Sequence, residues 1–421
     1  MERTFALKGH VIYTPACGRL ALHPDSYLVC EEGKVAGIFK TLPAHWQGVP
    51  VHDHGDKLIL PGLIDLHVHA SQYAYRGLGM DLELLDWLSA NAFPEEAKFA
   101  DPAYAQRAYG IFVKALTRSA TTRACVFATL HRPATLHLMA LLEEAGLPCL
   151  VGKVNMDRNS PDILRETTET SLAETRRWLE ESVEFSLVRP ILTPRFTPSC
   201  TDQLMAGLGQ LQREFSVPMQ SHLSENLSEI QWVRELCPGT SCYGEAYARF
   251  GLFGGPCPTV MAHCVWSGPE ERALMKEQGV FVAHCPQSNM NLSSGIAPIK
   301  GYLQEGQQVG LGTDVAGGAH LSLFRAMTEA IQCSKLRWRL VDQDTPALTL
   351  PEVLYLATKG GGKFFGQVGS FEPGYDFDAI VLDDSALPTT WPCTLAQRLE
   401  RLVYLSDGQP VAKYAAGRRL F

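Results

Sequence analysis

Residues 61–72 of the chain read PGLIDLHVHASQ. This stretch runs from a proline turn through a short apolar segment into two histidines, His67 and His69. Side chains at positions i and i+2 of a strand point to the same face, so both imidazoles are predicted to share one face at the end of a buried strand. By itself such a pair is weak evidence for a metal site, because two satisfied polar residues at a strand edge give the same pattern.

From Pro61 onward the sequence alternates short apolar segments with amphipathic helical stretches, which is typical of a parallel sheet covered by helices. The predicted strands are residues 60–67, 124–129, 148–154, 188–193, 218–222, 259–263, 280–284 and 309–314. Eight strands over about 250 residues are typical of a (β/α)8 barrel of the TIM type, so we predict an α/β fold of this class.

The two ends of the chain share a different pattern. The N-terminal residues 1–60 consist of short β-type runs between Gly, Pro and Asp turns, as in FALKGHVIYT (5–14). The tail returns to this pattern in FDAIVLD (377–383) and RLVYLSDGQPVAKYAAGRRL (401–420). We therefore predict that residues 1–60 and 367–421 form one small discontinuous β-sandwich domain, which flanks a barrel domain of residues 61–366.

Composition and charge narrow the classes of protein. The 421 residues are 46% hydrophobic and 19% charged, with a formal net charge of -8, which is typical of a soluble globular protein. The sequence has no Lys/Arg-dense stripe to bind nucleic acid, and no apolar run reaches the roughly 18 residues that span a bilayer. The N-terminus lacks the apolar core of a signal peptide, and the 12 cysteines include no CxxC pair, so we expect a cytoplasmic protein with reduced thiols.

Side chains that can bind a metal or carry a proton end several other predicted strands. His222 and Glu225 follow the fifth strand, His263 ends the sixth and Asp314 ends the eighth. The carboxyl ends of barrel strands carry the chemistry of such folds, so these side chains are expected to converge. Three imidazoles and a carboxylate around an open position suit Zn2+ or Fe2+, whereas Ca2+ prefers oxygen ligands. The alternative is a set of unrelated core histidines.

A divalent metal would give the remaining groups their roles, because it lowers the pKa of water toward about 7. Glu225 is predicted to carry a proton from that water to the substrate and on to the leaving group. Asp314 can hold the metal and accept a proton from the water. His263 is predicted to orient the attacking hydroxide or to stabilise developing negative charge, although a hydrogen-bonded core histidine would fit the same position.

The stretches PGLIDLHVHASQ, SHLSE, MAHC, HCPQSN and GLGTDVAGG, in this order, resemble the amidohydrolase superfamily, specifically its single-metal deaminase branch. The resemblance covers essentially the whole chain. It narrows to the purine-deaminating members through SQY (71–73), LLDWLSANAFPEE (84–96), GKVNMDRNSP (152–161), LTPRFTPS (192–199) and SENLSEIQWVRELCP (224–238).

This resemblance implies one Zn2+ per chain, with Fe2+ as the open alternative. The residues it implies are the metal ligands His67, His69, His222 and Asp314, the proton shuttle Glu225, and the substrate contacts Gln72, Arg195 and Phe196. It also implies a homodimer that takes a small purine, guanine, and converts it to xanthine and ammonia.

Guanine suits the three predicted substrate contacts chemically. The guanidinium of Arg195 can donate to O6, the carboxamide of Gln72 can match an edge with a donor and an acceptor, and Phe196 can cover the ring. Alternatively, Arg195 could pair with a local carboxylate and Phe196 could belong to the core.

Three other functions stay open from the sequence. The first is a related single-metal aminohydrolase, such as an adenosine-type, cytosine or triazine deaminase or chlorohydrolase. The second is a two-metal hydrolase of cyclic amides, which needs a lysine on the fourth strand; LVRPILTPRF (187–196) contains none, and Lys153 on the third strand is predicted to be structural. The third is a catalytically silent scaffold protein. His284 is predicted to be a core residue or to support the site from behind.

Overall fold

The computed structural model describes residues 4–421. The N-terminal segment forms the first four strands of one sheet. These strands are β1 (Thr4–Ala16), β2 (Arg19–Glu31), β3 (Lys34–Phe39) and β4 (Val51–Pro61). Strand β2 pairs antiparallel with β1 and with β3, whereas β4 pairs parallel with β1. Gly18 has φ 76° in the tight turn between β1 and β2, where glycine avoids the clash that a Cβ would cause.

The next ten strands build the barrel. They are β5 (Leu63–His69), β6 (Thr121–Phe127), β7 (Leu150–Gly152), β8 (Val154–Asn155), β9 (Arg189–Pro190), β10 (Thr193–Pro194), β11 (Met219–Leu223), β12 (Thr259–His263), β13 (Phe281–His284) and β14 (Gln308–Leu311). All pair in parallel. The third and fourth predicted strands are each split into two short pieces, and Pro190 and Pro194 in the fourth lack the N–H that a continuous ladder needs.

The barrel closes between its first and last strands. The backbone N–H of Asp314 donates to the His67 carbonyl at 2.8 Å, and that of His69 donates to the Val315 carbonyl at 3.0 Å. The eight-stranded barrel is confirmed, but two predicted bounds were wrong. Residues 60–61 belong to β4, and the first barrel strand runs from Leu63 to His69. The eighth barrel strand ends at Leu311, so Asp314 lies in the loop after it.

Helices cover the outside of the barrel. They are α1 (Leu84–Trp87), α2 (Phe93–Glu96), α3 (Pro102–Arg118), α4 (Arg132–Glu144), α5 (Thr168–Glu181), α6 (Asp202–Phe215), α7 (Leu227–Leu236), α8 (Glu245–Ala248), α9 (Pro269–Gln278), α10 (Pro286–Asn291), α11 (Ile299–Glu305), α12 (Leu323–Leu340), α13 (Leu350–Tyr355) and α14 (Leu395–Leu405). Between α1 and α2 the chain forms a π-helical turn, Leu88–Ala92. No helix within residues 4–421 is both long enough and apolar enough to cross a membrane.

Strands from the C-terminus complete the sheet begun by the N-terminus. They are β15 (Ala379–Leu382), β16 (Ala412–Ala415) and β17 (Arg418–Arg419), and the sheet order is β17-β16-β15-β4-β1-β2-β3. Phe5, Phe377 and Tyr414 pack together in the core of this sheet, so residues from both chain ends share one apolar cluster. The division at residues 60/61 and 366/367 stays a prediction.

One part of the tail was predicted wrongly. Residues 401–405, which the sequence pattern placed with the tail strands, belong to helix α14. A capping box starts this helix, because the Thr394 hydroxyl accepts from the Gln397 backbone N–H and Gln397 Oε1 accepts from the Thr394 backbone N–H. Leu399, Leu402 and Val403 are buried on one side of α14, so helical periodicity outweighed the β-prone composition of RLVYL.

A buried lysine joins the C-terminal strands to the barrel. The Lys413 Nζ atom donates to the carbonyls of Leu116, Thr117 and Ser119 at 3.0, 3.1 and 3.1 Å. These carbonyls lie at the end of α3, where a helix leaves its last acceptors without partners. Burial lowers the pKa of Lys413 to about 7, but the three donated hydrogen bonds supply the contacts that an ammonium group requires.

Replacing Lys413 by methionine is therefore expected to lower the free energy of unfolding by about 2 to 4 kcal/mol, because several buried carbonyls lose their donor at once. Denaturant unfolding followed by circular dichroism measures this change. Lys34→Met, which removes a largely exposed lysine that pairs with Asp376 on the same sheet, is the control and should cost less than about 1 kcal/mol. An equally small loss for Lys413→Met would mean that water satisfies the end of α3.

Candidate metal centre and substrate pocket

Four histidines and one aspartate meet at the carboxyl ends of the barrel strands. His67 and His69 lie on β5, His222 lies on β11, His263 ends β12, and Asp314 follows β14. The Nε2 atoms of His67 and His69 are 3.2 Å apart, and Asp314 Oδ1 lies 3.0 Å from the first and 3.4 Å from the second. Ligand atoms of His67, His69 and His222 all lie within 4.8 Å of one another. The structure thus brings all five side chains together.

The chemistry of this donor set fits a divalent cation. Burial lowers the pKa of His67, and it lowers those of His69 and His222 well below the usual value, so each imidazole is neutral and offers a lone pair. The Nδ1 atom of His222 donates to the Arg195 carbonyl at 2.6 Å, which leaves Nε2 as the donor atom for a metal. Neutral imidazoles beside a carboxylate are the ligands that Zn2+ and Fe2+ prefer.

Asp314 and His263 are held in unusual backbone conformations. Their φ angles are 47° and 75°, in a left-handed region that is costly for residues other than glycine. Burial alone would raise the pKa of Asp314, but His67, His263 and His69 outweigh it and hold that pKa below its usual range. Asp314 is therefore an ionised carboxylate facing the histidines.

Glu225 lies beside the histidines. Burial raises the pKa of its carboxyl to about 7 against the opposing effect of His263. Its Oε2 atom is 3.4 Å from Nε2 of His263, and its Oε1 atom accepts a hydrogen bond from Ser294 at 3.0 Å. A carboxyl group with a pKa near neutrality can both take up and release a proton.

His263 faces two carboxylates. Burial by itself lowers the pKa of His263, but Glu225 and Asp314 outweigh that effect and raise it above the usual value. The Nε2 atom of His263 lies 3.7 Å from Asp314 Oδ2, and its Nδ1 atom lies 2.9 Å from Oδ1 of Asn289. A protonated His263 can therefore stabilise negative charge that develops between these groups.

The sequence analysis did not predict two carboxyl groups, of Asp65 and Glu229, that hold site residues in place. Asp65 Oδ1 accepts from the backbone N–H groups of His67 and Thr313 at 3.2 and 3.0 Å, and its Oδ2 accepts from the Thr313 hydroxyl at 2.6 Å. Glu229 accepts from the backbone N–H of Glu225 at 3.0 Å. Asp65 could have been found, because it lies two residues before His67 and so shares the inward face of the strand.

A cavity opens onto the metal centre. Its lining residues are His69, Gln72, Leu84, Trp87, Leu88, Arg195, Phe196, His222, Glu225, Glu229, His263, Leu292 and Asp314. All predicted site residues except His67 therefore line it, and His67 lies against His69 behind the wall. Arg195 forms an ion pair with a carboxylate, Glu96, which was the alternative to a substrate contact. Arg195 nevertheless also lines the cavity.

Two other residues, His284 and Lys153, do not line the cavity. His284 is buried at the end of β13, where burial lowers its pKa to about 3. The buried Lys153 forms an ion pair with Glu166 at 2.8 Å, and the fourth-strand pieces β9 and β10 have the sequences RP and TP. The lysine that a two-metal site needs on the fourth strand is therefore absent from β9 and β10.

Comparison with known proteins places the chain in a family. A sequence model described as the amidohydrolase family matches residues 58–418. The chain is 36% identical to a guanine deaminase of Dictyostelium discoideum, over 98% of this chain and 97% of that protein. It is 39% identical to a guanine deaminase of Homo sapiens, over 78% of this chain and 73% of that protein.

Solved structures agree with these sequence matches. The crystal structure of a guanine deaminase from C. acetobutylicum with bound guanine in the active site superposes with a TM-score of 0.96 at 46% identity, covering 99% of this chain and 100% of that chain. The family model spans most of the chain, and the fold, with its barrel and added β-sandwich, agrees along nearly its full length. The chain therefore belongs to the amidohydrolase family.

Proposed function

We propose that this protein is a guanine deaminase, which uses water to convert guanine to xanthine and ammonia. It is a hydrolase that acts on a C–N bond of a cyclic amidine. The observation that carries the proposal is the shared cavity: the proposed proton carrier, Glu225, and the proposed purine contacts, Arg195 and Phe196, line the same cavity as the metal-binding side chains. The relatives with that printed name support it.

The amidohydrolase family implies a divalent metal, and we propose one Zn2+ per chain held by His67, His69, His222 and Asp314. Fe2+ prefers the same ligands and is the alternative that metal analysis would reveal. When bound, such an ion supplies Lewis acidity that lowers the pKa of water in the site toward about 7. Asp65 accepts from the backbone N–H of His67, and the Arg195 carbonyl accepts from Nδ1 of His222, so these hydrogen bonds hold the two ligands in place.

Glu225 is the proton carrier in the proposed reaction. It takes a proton from the attacking water and gives it to ring N3 as oxygen bonds to C2 of guanine. It then takes the remaining proton from the oxygen now bonded to C2 and passes it to the amine on C2, so that the C–N bond breaks, ammonia leaves and the carbonyl of xanthine remains. The pKa near 7 allows the same carboxyl group to act first as base and then as acid.

Asp314 and His263 flank the reacting carbon in this proposal. Asp314 holds the metal and accepts a hydrogen bond from the attacking water. His263 stabilises the negative charge that grows on the oxygen, because Glu225 and Asp314 raise its pKa. At the far side of the cavity Arg195 donates to O6, Gln72 pairs with the ring edge, and Phe196 covers the ring face.

A substrate panel tests this function against the related aminohydrolases. Guanine is expected to be converted to xanthine, which changes the ultraviolet absorbance, whereas rings without O6 should show a kcat/KM at least about 10,000-fold lower, because they leave a buried donor of Arg195 unpaired. Comparable turnover of an adenosine-type, cytosine or triazine substrate would instead favour a deaminase or chlorohydrolase of that kind.

We also propose that the protein acts in purine catabolism in the cytoplasm as a homodimer. The resemblance of the whole chain to guanine deaminases supports this, and a sedimentation mass equal to two chains is the expected result. A mass equal to one chain would contradict the dimer without affecting the reaction.

A further inference from the structure

A buried carboxylate, Glu96, lies directly behind two of the substrate contacts. Its side chain is 3% exposed. One oxygen, Oε1, accepts from Gln72 Nε2 at 2.8 Å, and the other, Oε2, accepts from Arg195 Nη1 at 2.5 Å. The proposed reaction gives Glu96 no role, although it bridges the two polar groups that face the purine.

The segment that carries Glu96 also forms a wall of the cavity. Helix α1, the π-helical turn and α2 run in succession, and Leu84, Trp87 and Leu88 from this segment line the cavity. Glu96 ends α2, so the same segment that forms this wall of the cavity places the carboxylate between Gln72 and Arg195.

Glu96 fixes which way the Gln72 carboxamide points. A carboxamide can turn by half a rotation and so exchange its donor and acceptor atoms. Here the carboxylate of Glu96 can only accept, and the backbone N–H of Ala316, which donates to Gln72 Oε1 at 3.1 Å, can only donate. One orientation therefore satisfies both partners, and it leaves one N–H and one lone pair of Gln72 for the substrate.

Glu96 also cancels the charge of Arg195. The Arg195 side chain is 4% exposed, and its guanidinium lies 5.2 Å from the centre of the Phe93 ring. A buried cation without a partner is costly and attracts anions. With Glu96 present, the pair has no net charge, which matches the neutral lactam edge of guanine and disfavours a purine that has lost a proton.

We propose that Glu96 is a positioning residue that sets the specificity of the pocket for a neutral lactam-edged purine, by orienting Gln72 and neutralising Arg195. This inference rests on guanine as the proposed substrate. It predicts two separate effects when Glu96 is replaced: weaker binding of guanine, because Gln72 and Arg195 lose their orientation, and weaker selection against anions, because Arg195 loses its counter-charge.

Steady-state kinetics on guanine test the geometry. In Glu96→Gln, KM is expected to rise about 10-fold to 100-fold while kcat falls less than about threefold, since the lost contacts orient the bound ring rather than the reacting groups. Glu96→Asp keeps the charge but shortens the reach, so its KM should also rise. The control is Glu95→Gln, because Glu95 pairs with Lys98 at 2.6 Å and with Tyr104 instead; its KM should stay near that of the wild type.

Inhibition by xanthine tests the charge. Xanthine loses an imide proton as the pH rises, so its inhibition constant is measured below and above that ionisation. In Glu96→Gln, the ionised form is expected to inhibit about tenfold more strongly, relative to the neutral form, than it does in the wild type. Glu96→Asp and Glu95→Gln should keep the wild-type ratio.

The outcomes separate this inference from the proposed function. A wild-type protein that leaves guanine unchanged contradicts the function, whereas the variants report on Glu96 alone. A Glu96→Gln protein with an unchanged KM, with a loss confined to kcat, or with the wild-type xanthine ratio would overturn the inference. Should Glu96→Gln fail to fold, Glu96→Asp decides, since an unchanged KM in that variant would equally overturn it.

Discussion

Glu225→Gln is expected to lower kcat for guanine by about 100-fold to 10,000-fold while the protein keeps the metal content of the wild type. Glutamine preserves the shape of the side chain and can still contact Ser294, but it cannot take a proton from water or deliver one to N3. Neither His222 nor Asp314 is altered, so the metal ligands stay in place. Stopped-flow or steady-state absorbance measurements with guanine give kcat.

The control for this variant is Glu235→Gln, on the exposed side of the helix that follows Glu225. It contacts Gln231 at 2.9 Å, and its activity should match that of the wild type. Near-normal turnover in Glu225→Gln, with full metal content, would remove Glu225 from the mechanism. Glu225 would then have only a structural role, as the acceptor of the Ser294 hydrogen bond.

Removal of the metal ion is expected to lower turnover by more than about 1,000-fold, because water in the site then keeps a pKa far above neutrality. Dialysis against a chelator followed by metal analysis and the guanine assay measures the loss. Added Zn2+ should restore the activity of the wild type. In His222→Ala, which deletes one of the converging imidazoles, the same addition should fail.

His45→Ala supplies the matched control, because His45 is an exposed histidine of the N-terminal segment. Its metal content and turnover should equal those of the wild type. Full activity in metal-depleted protein would contradict the assignment of the four ligands. Retention of one metal ion per chain by His222→Ala would instead show that His222 is not among them.

The sequence predicted the parts of the molecule that repeat or alternate. His67 and His69 share a strand face because their spacing is two. The positions of His222 and His263 at strand ends, and of Asp314 just after one, follow from the barrel pattern. The parts that the sequence did not predict depend on contacts between distant residues. Glu96 acquires its role from Arg195, which lies 99 residues away, and no local pattern reveals that meeting.

Local chemistry explains the remaining differences. The fourth barrel strand is broken because prolines interrupt its hydrogen bonds, and α14 forms because Thr394 and Gln397 cap an apolar helix face. In both places a single feature outweighed the average composition of the segment. The third strand is also split, between Gly152 and Val154, where the buried Lys153 turns to Glu166.

The closure of the barrel has a consequence for biosynthesis. His67 and His69 are made early, whereas Thr313, which anchors the loop of Asp314 to Asp65, follows Asp65 by 248 residues. The complete set of ligands therefore exists only after the ribosome has released the last barrel strand and the seam has joined. Binding of a metal ion is therefore expected late in maturation, because a nascent chain that ends before residue 314 has no finished site in which to retain a divalent ion.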